Sequence, residues 1–256
     1  MRIISYNTNG IRAAIKKGLL EWLQTNPADI ICIQETKANK TDVDVQAIEA
    51  LGFETYWFSA QKKGYSGVAV FTKIKPDLVE YGNQTEQSDF EGRVIRLDFK
   101  DVTLINAYFP SGTSGDERQT YKYQWLNEMF DYVQALRKKR KKIILTGDYN
   151  IAHTEIDIHD PKGNKNSSGF LPEEKEWMSK FLANGWVDTF RFKNPDVKGA
   201  YSWWSQRFPT VRLQNKGWRI DYICVTDSLK ENIQSATIYP DVKHSDHCPI
   251  FVELSN

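Results

Sequence analysis

Lys141-Lys142-Ile143-Ile144-Leu145-Thr146-Gly147-Asp148-Tyr149-Asn150 reads as a short buried strand that runs into a polar tip. Ile143 to Thr146 are apolar or β-branched and suit a strand interior. Gly147 is expected to end the run and let the backbone turn. Asp148 and Asn150 lie two apart, so in an extended chain their side chains point the same way. A carboxylate and an amide at the end of a core strand need hydrogen-bond partners if they are buried. Taken alone, the tip is equally well read as a capped turn. The same pattern, however, recurs at three other places in the chain.

Outward from this strand, residues 2–6 alternate like a strand and end at Asn7-Thr8-Asn9-Gly10. Arg12 to Gln24 carries apolar residues at helical spacing (Ile15, Leu19, Trp22, Leu23) and stops at Asn26-Pro27. Asp29 to Ile33 is a second buried strand, ending in Gln34-Glu35-Thr36-Lys37. Thr41-Asp42 reads as the N-cap of a helix that runs to Leu51-Gly52. Strands follow at Phe53 to Ser59, Ser66 to Thr72, Arg93 to Phe99 and Val102 to Phe109, with a turn at Tyr65-Ser66-Gly67. Glu117 to Lys139 is the longest helix, with Trp125, Leu126, Met129, Phe130, Val133 and Leu136 on one face. After the central strand, residues 151–172 form a long polar loop of the kind that carries function. A helix opens at Pro172 and ends at Asn184-Gly185. Tyr201-Ser202-Trp203-Trp204 is an aromatic cluster, and Arg219 to Thr226 is a strand containing Asp221. His244-Ser245-Asp246-His247 leads into a last apolar strand, Pro249 to Leu254.

Strands mixed with long helices in both halves, with no linker, repeat or low-complexity segment, predict one α/β domain over 1–256. Its architecture is expected to be two mixed sheets packed together with helices outside, a four-layer sandwich. No apolar run approaches the roughly 20 residues that a bilayer-spanning helix needs. Met1 leads directly into the first strand, so no signal peptide is expected. Cys32, Cys224 and Cys248 are scattered and embedded in apolar sequence, which suits reduced core residues in a cytosolic protein better than a disulfide frame or a zinc site. The net charge of +1 gives no global attraction to a polyanion, so nucleic-acid binding would need positive charge gathered on one face. The basic run Arg137 to Lys142 is read as complementing a helix C-terminus and facing water.

Four tips therefore carry polar residues of one kind: Asn7 and Asn9, Glu35, Asp148 and Asn150, and Asp246 with His247. Carboxylate and amide oxygens suit a hard cation such as Mg²⁺, and soft ligands are missing from these tips. A histidine near aspartates suits phosphate contact or acid–base chemistry. Capping explains any single tip; it explains four together poorly.

The chain resembles the bacterial exonuclease III family of apurinic/apyrimidinic endonucleases, in the endonuclease/exonuclease/phosphatase superfamily with its DNase I-like fold. The resemblance rests on Ser5 to Arg12, Gln34-Glu35-Thr36-Lys37, Gly64-Tyr65-Ser66-Gly67, Asn106 to Pro110, Gly147 to His153, Asp160 to Lys165, Gly217 to Tyr222, and Ser245 to Pro249. It implies Mg²⁺-dependent cleavage 5′ to abasic sites in double-stranded DNA, leaving a 3′-hydroxyl, with 3′-phosphodiesterase and 3′→5′ exonuclease activity. Mn²⁺ is expected to substitute for Mg²⁺. Glu35 would be the principal metal ligand, with Asn7, Asp148, Asn150, Asp246 and His247 around it. Asp148 would deprotonate the attacking water, Asn150 would hold the water or the phosphate by its amide, and His247, paired with Asp221, would donate to a phosphate oxygen. Tyr108 would place its phenol on the phosphate or the leaving oxygen. Trp203, Trp218 and Ile220 would line a pocket for a baseless deoxyribose. Asn9, Arg12, Lys37, Tyr65 and Asn164 would position the DNA backbone. The chain departs from the family at Asn9, where aspartate is frequent, and at Ser167-Ser168, where an asparagine is often found; the Ser111 to Gly115 loop shows no intercalating arginine. The resemblance also implies a monomer without an obligate protein partner or membrane, cytoplasmic and nucleoid-associated in a bacterium. Competing readings are a superfamily phosphoesterase for lipid or inositol phosphates and a non-catalytic DNA-binding relative.

Overall fold

The computed structural model describes residues 1–207 and 210–255. The first half runs β1 (Arg2–Asn7), α1 (Ile11–Lys16), α2 (Leu19–Thr25), β2 (Ile30–Gln34), α3 (Val45–Glu49), β3 (Glu54–Phe58), β4 (Val68–Thr72), β5 (Leu78–Tyr81), α4 (Glu86–Phe90), β6 (Val94–Phe99) and β7 (Val102–Tyr108). The second half runs α5 (Asp116–Arg137), β8 (Lys142–Asp148), α6 (Pro172–Ala183), β9 (Trp186–Asp188), α7 (Thr189–Lys193), α8 (Thr210–Leu213), β10 (Asp221–Thr226), β11 (Ile233–Ile238) and β12 (Ile250–Leu254).

The strands form two six-stranded sheets, ordered β11-β12-β1-β2-β4-β3 and β5-β6-β7-β8-β10-β9. Each sheet has one parallel pair, β1 with β2 and β7 with β8. Parallel neighbours need a crossover, and helices supply it: α1 and α2 in the first case, α5 in the second. Alternation along each strand then assigns the faces. Ile3, Ile30, Cys32, Val68 and Val70 of one sheet meet Ile95, Leu97, Leu104, Ile144, Ile223 and Val225 of the other in a shared core. The odd-even partners Ile4, Tyr6, Ile31 and Ile33 face outward onto Ile11, Leu19, Leu23 and Ile48. On the far side Ile105, Ile143 and Leu145 meet Trp125, Met129, Trp177 and Phe181 of α5 and α6. The result is the expected helix–sheet–sheet–helix stack. Burying each of these large side chains contributes about 1.5–3 kcal/mol.

The local readings needed several corrections. The helix expected over Arg12 to Gln24 breaks into α1 and α2, because Gly18 takes a left-handed φ of +97°. The α3 cap is Asp44, which accepts from Ala47 N at 3.2 Å; Asp42 instead closes a turn by accepting from Asn39 N. Gly147 lies inside β8, not in a turn, and Asp221 is the first residue of β10. The short elements β5, α4, α7 and β11 were not foreseen. β5 is a four-residue edge strand with Leu78 and Tyr81 exposed, so it carries little hydrophobic alternation. β11 breaks its register between Ile233 and Ser235. The basic run lies at the opposite end of β8 from Asp148, and part of it is tied to the protein: Arg140 donates to Thr103 Oγ1 and Lys100 O, and Lys142 pairs with Asp101. Among the described residues no helix is long and apolar enough to cross a membrane.

Candidate active site

The parity that builds the core also builds the site. Along the inward positions, β1 reads Ile3, Ser5, Asn7; β7 reads Leu104, Asn106, Tyr108; β8 reads Ile144, Thr146, Asp148. β10 runs the other way, so its first inward residue, Asp221, arrives at the same end. The interior thus grades from apolar to polar to ionisable along one direction. In the middle layer Gln34 Nε2 donates to Ser5 Oγ (2.9 Å) and to Asn106 Oδ1 (2.7 Å), and Asn106 Nδ2 donates to Ile33 O and Ala69 O. The donor groups of these buried amides have partners and tie the two sheets together beneath the site, while Gln34 Oε1 is left without one. The requirement for glycine at 147 is a close approach: a Cβ there would sit 1.8 Å from Ala107 O of β7, and φ is +144°.

Asp148 lies beside Tyr108 in the β7–β8 register and opposite Asp221 across β8–β10. From the other sheet, Asn7 Nδ2 donates to Asp148 Oδ2 at 2.8 Å. The backbone N–H of Asn150 donates to Asp148 Oδ1 at 2.8 Å. Asn150 is not extended, as the sequence suggested, but turns back with φ +52°. Its amide nitrogen is committed to Phe109 O (3.0 Å) and Asp148 Oδ2 (3.3 Å), so Oδ1, an acceptor, is its available atom. His247 Nδ1 meets Asp221 Oδ2 at 2.9 Å, and its Nε2 lies 3.8 Å from Asp148 Oδ2. Ser202 Oγ donates to the same Asp221 oxygen at 2.6 Å and accepts the N–H groups of Ile220 and Asp221. A second chain of contacts runs alongside. Lys37 Nζ touches Glu35 Oε1 (2.9 Å) and Asn9 Oδ1 (2.5 Å), and Asn9 Nδ2 donates to Asp246 Oδ1 (2.9 Å). Asn9 and Glu35 also hold left-handed φ values, +46° and +54°; for a glutamate this stores roughly 1–2 kcal/mol that the surroundings must offset.

Burial pushes the Asp148 carboxyl up to about 7; His247 opposes the shift and Asp221 adds to it. Burial also opposes charge on His247, but Asp221 and then Asp148 outweigh it and raise the imidazole to about 10. Burial, Glu35 and Asp148 push the Tyr108 phenol well above its ordinary value, so it remains a neutral donor. The site thus holds an imidazole whose charged form is favoured, a carboxyl whose charged form is disfavoured and a phenol kept neutral, all facing one cleft.

That cleft, about 860 Å³, is lined by Asn9, Glu35, Tyr108, Asp148, Asn150, Asp246 and His247, together with Trp203, Trp218 and Ile220. The two tryptophan rings meet edge-on at 6.0 Å, and Trp203 Nε1 donates to Asp246 Oδ2. Trp204 is buried in the core beneath Arg212. Arg12, Lys37 and Tyr65 line an adjoining groove of about 380 Å³ with Lys62 and Lys63. Asn164 is not brought to the cleft: its amide is spent on His159 O and Asp160 O of its own loop, and Asn166, Ser167 and Ser168 reach the cleft instead. Sequence reasoning also missed Gln119 and Arg207 on the cleft wall and Ser202 behind Asp221, none of which sits in a distinctive motif.

The profile of the Endonuclease/Exonuclease/phosphatase family matches residues 4–247. The chain belongs to this family. It is 48% identical over 251 residues to an exodeoxyribonuclease of Bacillus subtilis, covering 98% of each chain. Its fold matches an AP endonuclease from Archaeoglobus fulgidus at a TM-score of 0.92 and 29% identity, over 100% of both chains. It matches the 3′ phosphatase NExo from Neisseria, bound to product DNA hairpin, at 0.92 and 26%, again over 100% of both. Like other members of the family, the chain is a hydrolase.

The residues present fit a divalent cation. Asp148, Asp221 and His247 each offer an atom within 4.8 Å of the others, and Asp221 Oδ1 is buried without a partner. Glu35 and Asp246 bring two further carboxylates; among the described residues Lys37, His247 and, on the cleft wall, Arg207 carry the positive charge beside them. His247 stays in the ligand set expected from sequence, its Nδ1 held by Asp221 and its Nε2 turned toward Asp148. With it stand the oxygens of Glu35, Asp148, Asp246 and the two amides Asn7 and Asn150, a largely hard-ion set.

Proposed function

We propose that the chain, acting as a single catalytic domain and as a monomer, hydrolyses the phosphodiester 5′ to abasic sites in double-stranded DNA. Trimming of 3′ ends is a secondary activity of the same site. The observation that carries the reading is the meeting, in one cleft, of a buried carboxylate between an asparagine and a charged histidine with the apolar wall of Trp203, Trp218 and Ile220. Asp148 accepts a proton from water as the water oxygen bonds to phosphorus. The P–O3′ bond breaks, the 3′ oxygen takes a proton from solvent water to leave as a hydroxyl, and Asp148 returns its own proton to solvent. Asn150 Oδ1 accepts from the attacking water and orients it. His247 and Tyr108 donate to phosphate oxygens, each such preorganised donor being worth about 10²–10³ in rate. Glu35, Asn7, Asp148, Asn150 and Asp246 would hold Mg²⁺, or Mn²⁺ in its place, which when bound neutralises charge on the phosphate.

The apolar wall accepts a flipped deoxyribose that carries no base, and unstacking costs least where the base is missing. Arg12, Lys37 and Tyr65 hold backbone phosphates, joined by Lys62 and Lys63. The setting is a bacterial cytoplasm, on the nucleoid. The test is a labelled abasic duplex scored for nick position and 3′ trimming, with Mg²⁺ and with chelator. A Mg²⁺-dependent nick 5′ to the lesion is expected; no scission, or scission indifferent to chelator, defeats the reading. Trp218→Ala should lower discrimination against undamaged DNA more than it lowers kcat, and unchanged discrimination removes the pocket from the account.

A further inference from the structure

Lys122 of α5 and Glu174 of α6 form an ion pair with both side chains wholly buried, Nζ to Oε1 2.5 Å. Stability alone is a poor reason for such a pair, since apolar residues of similar volume are often as good. The further hydrogen bonds are more informative. Lys122 Nζ also donates to the backbone carbonyl of Asn150 at 2.7 Å. Glu174 Oε2 accepts from Gly169 N (2.6 Å) and Leu171 N (2.9 Å), and Gly169 O in turn accepts from Ala152 N (2.7 Å). The pair therefore clamps the chain as it leaves the β8 tip and again where the long loop returns. Asn150 needs such a clamp, because its left-handed backbone aims both its N–H and its amide at Asp148.

We propose that Lys122, held in place by Glu174, is a positioning residue for hydrolysis: it fixes the carbonyl of Asn150, and through that residue's backbone the orientation of the Asp148 carboxylate. The inference rests on the reading of Asp148 as the base. Loss of Lys122 frees the Asn150 carbonyl, and the N–H bond that aligns Asp148 Oδ1 loosens with it. No hydrogen bond of Lys122 itself reaches Trp203, Trp218 or Ile220, so the effect is expected on kcat more than on KM.

The experiment compares Lys122→Met, Glu174→Gln and the double variant for kcat and KM on the abasic duplex, with denaturant unfolding of each. Lys122→Met should lower kcat about 10–100-fold with KM within about threefold, and lose stability because a buried carboxylate is left unpaired. The double variant should regain stability, the unpaired charge being gone, but not kcat. Glu174→Gln alone leaves Lys122 on Asn150 and should keep kcat within about fivefold of wild type. The inference is overturned if the double variant recovers kcat, or if Lys122→Met keeps kcat within about threefold of wild type. Should Lys122→Met fail to fold, the other two variants still decide. If the wild-type protein trims 3′ ends without nicking the abasic site, the substrate reading fails, and the same comparison on 3′ ends still judges Lys122.

Discussion

Two buried charge clusters flank the start of β10 and are built to opposite rules. On one side Arg219 donates to Asp157 Oδ1 and Asp188 Oδ2, each at 2.7 Å, and Arg191 reaches the same Asp157 oxygen at 2.6 Å. Two residues along, Asp221 and Asp148 share only His247. In the first cluster two arginines match two aspartates. Burial there would raise the Asp157 carboxyl, but Arg219 and Arg191 hold it well below the carboxylate range. In the second, negative charge is in excess, burial prevails, and Asp148 rises to about 7. The lesson is that burial of an aspartate does not mark function; burial without sufficient countercharge does.

Each cluster can be broken separately. The largest expected effect is on Asp148→Asn, which should lower kcat by about 10³–10⁴ while folding stability holds or rises, because a like charge facing Asp221 is removed. Steady-state kinetics and denaturant unfolding on one preparation test both halves. Loss of stability comparable to a core substitution would place Asp148 with the structural ion pairs. Arg219→Met should do the reverse: destabilise by about 3–5 kcal/mol and leave kcat of the folded fraction within about threefold.

A subtler contrast lies in pH dependence, read by unfolding in chelator. Asp157 has a depressed folded pKa, so its contribution is present above its unfolded value near 3.8 and is lost as pH falls through the folded value. The wild-type acid limb below about pH 4 should flatten in Arg219→Met. Asp148 has a raised pKa, so between 3.8 and about 7 the folded state binds the extra proton and stability declines as pH rises. Asp148→Asn should remove that decline; an unchanged slope between pH 4 and 7 would refute the charge excess. The smallest effect is ligand stabilisation: Mg²⁺ at about ten times its dissociation constant should add about 1.4 kcal/mol to wild type, and less to Glu35→Gln, by thermal unfolding. Equal stabilisation of both would move the cation away from Glu35.

Much of the site was legible because its residues sit at the ends of strands that are themselves legible. Asn7, Asp148 and Tyr108 close runs whose alternation fixes the inward face, and His247 lies in a motif that needs no structure to notice. Asn164 lies off the cleft because its loop offers two amides, Asn164 and Asn166, and only folding decides which one reaches it. The split of the helix turns on Gly18, a local signal that the apolar spacing on either side masked, whereas the edge strand β5 depends on pairing that local pattern does not encode.

The sequence by itself determined the alternating strands, the helices that cross between parallel neighbours, and the set of oxygen-bearing tips, since periodicity and residue chemistry are local properties. Only the tertiary structure decided which aspartate is neutralised and which is left in excess, because countercharge is a matter of distance. Arg219 and Asp157 lie far apart along the chain and 2.7 Å apart in space. It likewise decided that Lys122, mid-helix and without a motif, reaches the carbonyl of Asn150 behind the β8 tip.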